Sequence, residues 1–138
     1  MKKLALIILI VASSVTYENA LAERWRMVIQ NENITVYIDL DSITKKGGLV
    51  FVHQRETYVP PLRSIDSEMV SLVAYDCNKL QYALLYYAFL DQNGNITSGE
   101  DLRSQKWNFQ SYEREGLFRL APMNEGCGLA ELPLEKRK

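Results

Sequence analysis

The sequence predicts an α+β domain: an antiparallel sheet of about six strands with a C-terminal helix packed on one face. Three observations point there. Short segments of alternating apolar and polar residues recur between turn-formers, the period-two pattern of strands. Glu68 to Leu90 holds two apolar, aromatic-rich runs that meet at Asp76-Cys77-Asn78, as the central pair of such a sheet would. After Ser111, residues Leu117, Phe118, Leu120 and Ala121 make an apolar stripe at helical spacing.

Residues 1–22 stand outside the fold. Lys2 and Lys3, the apolar stretch Leu4 to Val11 and Ala20-Leu21-Ala22 follow the three parts of a secretory signal peptide, with cleavage after Ala22. The apolar stretch is short of the roughly 20 residues that a spanning helix needs. No cysteine lies at or before the cleavage region, so a lipid anchor on an N-terminal cysteine is not expected. Loss of Lys2, Lys3 and Glu18 moves the formal charge from -1 to -2, a balance with no basic stripe for nucleic acid. Residues 23–138 suit one domain with a single core, with a frayed tail from about residue 129. An oxidising compartment makes a Cys77–Cys127 disulfide the expected state of its two cysteines, tying the tail to the middle of the sheet.

The elements follow in order. Arg24 to Gln30 alternates, placing Trp25, Met27 and Ile29 on one face, and Ile34 to Asp39 returns as its hairpin partner across Asn31-Glu32-Asn33. Asp41 and Ser42 are set to cap a short helical turn, and Lys45-Lys46-Gly47-Gly48 forms a solvated tip. Leu49 to Tyr58 is the third strand, drier in its first half than its second, and Pro60-Pro61 stops it. The fourth strand spans about Glu68 to Asp76. The fifth spans Lys79 to Leu90, with Leu80, Tyr82, Leu84, Tyr86, Ala88 and Leu90 on one face and Gln81, Ala83, Leu85, Tyr87 and Phe89 on the other. Asn93-Gly94 turns the chain into a short return strand, Asn95 to Ser98. Ser111 is placed to cap the helix, and Pro122 to end or kink it near Ala121.

Chemistry is sparse. His53 is a lone histidine in a strand, and the set Ser71, His53 and Asp76 has no nucleophile elbow to support it. Asp39 and Asp41 lack the 6 to 8 oxygens that calcium takes. Asp76 reads as a turn-former. No catalytic residue, metal ligand or cofactor site is expected, and the protein is read as a non-enzyme. The tyrosine-rich fifth strand is the feature left over. Tyr82, Leu84, Tyr86, Tyr87 and Phe89 either pack the sheet against its helix or form an interface with a partner or a second copy.

Trp25, the segment Val36-Tyr37-Ile38-Asp39 followed by Ser42-Ile43, Asp76-Cys77, the aromatic strand after it, Trp107 and Cys127 occur in the order seen in the surface-adhesin protein E family of Gram-negative bacteria, which the chain resembles from Arg24 to Cys127. The resemblance implies a sheet of about six strands with a C-terminal helix, a disulfide between sheet and tail, and a homodimer. It also implies a surface-exposed protein that binds host matrix and serum proteins such as vitronectin, laminin and plasminogen. No host-binding segment transfers residue by residue. The expected function is therefore a non-enzymatic, exported, adhesin-like protein-binding domain, in the periplasm or at the cell surface. The alternative is a periplasmic structural or envelope-assembly component with a bacterial protein partner, which the lack of an anchoring cysteine favours.

Overall fold

The computed structural model describes residues 24–111 and 117–137. Among them the strands are β1 (Trp25–Gln30), β2 (Ile34–Asp39), β3 (Thr44–Lys46), β4 (Leu49–Leu62), β5 (Asp66–Asp76), β6 (Gln81–Leu90), β7 (Ile96–Asp101) and β8 (Gln110–Ser111), followed by helix α1 (Leu117–Ala130). The six principal strands form an antiparallel meander in the order β1-β2-β4-β5-β6-β7, with β3 alongside β4 and β8 alongside β6. This is the α+β architecture expected from the sequence. Residues 1–22, read as a signal peptide, and the start of the expected helix after Ser111 lie outside the described residues.

Side-chain carboxylates and amides set the turns. Asn31 Oδ1 accepts the N–H groups of Asn33 and Ile34 at 2.9 and 2.8 Å, and Asp76 Oδ1 accepts those of Asn78 and Lys79 at 3.2 and 3.1 Å. Asp91 Oδ1 does the same for Asn93 and Asn95, with Gly94 at a φ of 80° in the turn. Each is a short polar side chain substituting for a backbone acceptor where the ladder must reverse.

One face of the sheet packs under α1. Ile38, Val50, Val52, Val73 and Tyr75 meet Met123 and Leu129 of the helix in one buried cluster, with Val28, Tyr82, Leu84 and Leu120 around it. Gly126 explains how closely the layers approach. A Cβ there would stand 3.0 Å from Val52 Cγ2, so the absence of a side chain lets the helix backbone settle on the strand. One residue on, Cys127 is bonded to Cys77 at the β5–β6 corner, 50 positions away in sequence. Arg26 adds an ion pair to Glu125 at 3.1 Å on the same side.

Several local expectations are corrected. Pro122 does not end the helix: α1 runs through it to Ala130. An interior proline costs about 3 kcal/mol of helix propensity, which the burial of Met123 and Leu129 and the disulfide together offset. Ser111 is paired with Gln81 in β8, and the residues that it was expected to cap lie outside the described ones. The helical turn expected at Asp41 and Ser42 is replaced by a turn leading into β3. Asp39 organises it, accepting the N–H groups of Arg24 and Asp41 at 3.1 and 3.0 Å, while Ser42 Oγ donates to the Asp39 carbonyl at 2.8 Å.

Nor do Pro60 and Pro61 stop the third strand. β4 continues to Leu62, with Val59–Pro60 in the cis form. Its regular pairing with β5 lapses between Thr57 and Leu62, so the prolines sit where no ladder needs their missing N–H. Beyond them, Asp66 is fully buried and its carboxylate accepts from Thr97 Oγ1 of β7 and from the Arg63 guanidinium. The second half of β4 is not the wetter one on the helix side: Gln54 and Glu56 are buried there, taking hydrogen bonds from the hydroxyls of Tyr75 and Tyr58. Residues 131–136 are exposed as a tail would be, but Arg137 returns to the body. Its guanidinium donates to the carbonyls of Ile43 at 2.7 Å and Leu132 at 3.1 Å, and it is largely buried against the β2–β3 turn.

Two outcomes follow. Replacing both Cys77 and Cys127 by serine should lower stability in urea unfolding by about 4 kcal/mol, the chain-entropy value for a loop of this length; a loss under about 1 kcal/mol would mean that packing alone holds α1. The Thr97 hydroxyl, followed by the Arg63 guanidinium, lowers the pKa of Asp66 below the usual carboxylate value. A depressed carboxylate gives stability that is full above its unfolded pKa of about 3.9 and lost as pH falls through the folded value. Asp66→Asn should therefore melt lower than the parent at pH 7 and lose less of its melting temperature between pH 5 and about 3. Equal acid losses in the two proteins would contradict the assignment.

Candidate binding surface on the open sheet face

Strand alternation gives β4 two unlike faces. Val50, Val52, Gln54 and Glu56 point under the helix, while Leu49, Phe51, His53 and Arg55 form a row on the opposite side. The β2–β4 register sets Tyr37 opposite Arg55, and Trp25 stands on the same side of β1, opposite Asp39. The Arg55 guanidinium carbon lies 4.8 Å from the Tyr37 ring centre and 5.5 Å from that of Trp25, within cation–π range of both. Glu68, on β5, comes no closer than 3.8 Å to Arg55 Nε, which is beyond hydrogen-bond length. That nitrogen is enclosed and has no hydrogen-bond partner among the described residues. The cluster is thus a partly exposed guanidinium held between two aromatic rings and ion-paired with Glu68, its enclosed Nε without a hydrogen bond among the described residues. Leaving such a donor unpaired costs on the order of 1–3 kcal/mol.

Further along the open face the chain covers its own sheet. Residues 102–109 cross it, and Trp107 and Phe109 pack over Ala74, Ala83 and Leu85, beside Phe51 and Leu72. The Leu102 N–H bonds the Leu85 carbonyl at 2.8 Å, fixing this crossing to β6.

Two bulges change which residues reach which face. In β1 the register shifts at Val28, which joins the helix-side core; Trp25 and Met27 stay on the open side, but Ile29 pairs with Val36 and crosses to the helix side. In β6 the shift falls at Leu85. Tyr82 and Leu84, opposite Tyr75 and Val73, pack on the helix-side core, whereas Tyr86 lies opposite Leu72 on the open face. Tyr87 and Phe89 then return to the helix side, edge to face with ring centres 5.9 Å apart and the Arg63 guanidinium over Phe89 at 5.4 Å. The single-faced sets expected for β1 and β6 are therefore both broken by one inserted residue. The five β6 residues do not share a surface.

The set Ser71, His53 and Asp76 does not converge. His53 faces the open side and Ser71 is buried on the helix side, opposite Gln54, so the sheet separates them. Asp76 is occupied as a turn acceptor. Among the described residues no group of three or more histidines, cysteines or acids could hold a metal. At the β7 end, Arg103 hydrogen-bonds Asp101 and holds its carboxyl down at about 2. That pair is a local loop clasp.

Trp25, Tyr37 and Arg55 were each visible in the sequence as alternating strand residues. Their convergence was not, because it requires the pairing of three strands.

Among the described residues no helix is long and apolar enough to cross a membrane. No curated protein and no solved structure matches the chain. A family model does, the one described as surface-adhesin protein E, over residues 25–117. That span runs from the tryptophan of the Arg55 cluster through the whole sheet, well over half of the sequence, and the chain belongs to the surface-adhesin protein E family.

Proposed function

We propose that the protein is an exported, non-enzymatic adhesin of a Gram-negative bacterium that binds a host matrix or serum protein through the open face around Arg55. The observation that supports this is the composition of the cluster. Arginine and tryptophan and tyrosine are the residue types that dominate binding energy at protein interfaces, and they do so where water is excluded. Here an arginine is already stripped of water at Nε and stacked between Trp25 and Tyr37. A partner carboxylate or carbonyl reaching the exposed end of the Arg55 guanidinium would meet a group whose ordering cost has been met in the free protein.

Export belongs to the same reading, with residues 1–22 removed after Ala22 and residues 23–138 acting as one domain in the periplasm or at the cell surface. So does a homodimer, as the family resemblance implies. Of the β6 residues read from the sequence, Tyr86 joins the proposed contact surface. Tyr82 and Leu84 serve the sheet–helix core, and Tyr87 and Phe89 are left for the dimer.

The test is binding of residues 23–138 to immobilised vitronectin, laminin and plasminogen. Saturable binding to at least one is expected. Arg55→Ala should weaken it about tenfold or more, at or above 1.4 kcal/mol, with a melting temperature within a few degrees of the parent. Binding unchanged in Arg55→Ala would remove the open face from the account. No saturable binding, together with a specific bacterial partner crosslinked in envelope fractions, would replace it with the envelope-assembly role.

A further inference from the structure

A second site lies at the Leu49 end of the β4 row. There the β3–β4 hairpin and Trp107 border an open groove of about 550 Å³ lined by Lys46, Gly47, Leu49, Phe51 and Trp107. This volume is in the ~300–1,000 Å³ range of small-molecule sites. Its walls are fixed. The Trp107 indole N–H donates to the Arg103 carbonyl at 3.2 Å, and the ring stands edge-on to Phe51 with centres 5.9 Å apart. Gly47 sits at a φ of 61°, and nothing lies within 4 Å of the point where a Cβ would be, so bare backbone forms the hairpin wall.

Charge divides across β3 as strand alternation requires. Lys45, opposite Val50, faces the helix side and pairs with Glu131 at 2.5 Å. Lys46, opposite Leu49, faces the groove and has no acidic partner among the described residues. The site therefore offers three apolar walls and one compact, uncommitted cation. The backbone of Phe51 is already paired on both sides, with β3 and with β5, so its floor has no free edge for an added peptide strand. An elongated apolar body with a single negative end fits this arrangement better than a polypeptide does.

We propose that this groove binds an amphiphilic carboxylate, a medium-chain fatty acid, with the acyl chain against Leu49, Phe51 and Trp107 and the carboxylate on Lys46 Nζ. The apolar walls supply most of the affinity, and the exposed lysine selects the charged head. The site stands apart from the Arg55 cluster and does not depend on it.

The sequence contains two tryptophans, so Trp25→Phe leaves Trp107 as the reporter. Titration of that variant with decanoate, below its micellar concentration, should give a saturable change in emission. Decanol should bind roughly threefold to fivefold more weakly, the scale of one exposed ion pair, and Lys46→Gln should erase the difference between the two ligands. Calorimetric titration of the parent with the same two ligands makes the comparison without any tryptophan change. The proposal is overturned by the absence of saturable binding of decanoate, by equal binding of decanol and decanoate in the parent, or by a charge preference that survives in Lys46→Gln. It is equally overturned if an apolar peptide with a free C-terminal carboxylate binds more tightly than decanoate, which would make the groove a peptide site.

Discussion

The clamp of the helix on the sheet sets everything else. Cys127 is bonded to Cys77 at the β5–β6 corner, and Gly126 beside it lets the helix backbone rest on Val52. Covalent closure fixes where α1 lies, and the missing side chain fixes how near. This clamp assigns the larger of the two buried clusters to one face. Among the described residues the other face is then left to manage its apolar and aromatic residues with no helix of its own. Part of it is covered by the crossing segment of Trp107 and Phe109, and the rest presents Trp25, Tyr37, Arg55 and Tyr86 to whatever meets it. The proposed binding surface is a consequence of the closed side.

The same sidedness explains why ionic chemistry is minor. The acids whose pKa values are lowered, Asp66, Asp91 and Asp101 among them, are each held by a hydroxyl, an arginine or the N–H groups of a turn, and they tie loops and hairpins together. His53 and Ser71 lie on opposite faces. A sheet that separates its few reactive side chains suits recognition better than catalysis, in keeping with an adhesin family.

The fold class, the strand count, the disulfide and the turns at Asn31, Asp76 and Asp91 were legible because each has a local cause: alternation, an exported pair of cysteines, a short polar side chain. Expectations failed where a distant partner decides. Pro122 looks like a helix ending, yet the tether and the contact of Gly126 with Val52 make it helix interior. Arg137 looks like tail until the carbonyls of the β2–β3 turn come within its reach. The bulges at Val28 and Leu85 leave no trace in sequence, since an apolar run such as Tyr82 to Phe89 reads the same with or without one extra residue. That single residue moved Tyr86 away from Tyr82 and Leu84. The Arg55 cluster was hidden for a related reason, being spread over β1, β2 and β4.

The central claim is that the face opposite the helix is the one that binds. Hydrogen–deuterium exchange on residues 23–138, alone and saturated with the matrix or serum protein that it binds, tests this directly. New protection is expected in β1, β2 and β4 around Trp25, Tyr37 and Arg55, with α1 unchanged. Protection confined to α1 and the residues after it, with the open face exchanging as in the free protein, would contradict it.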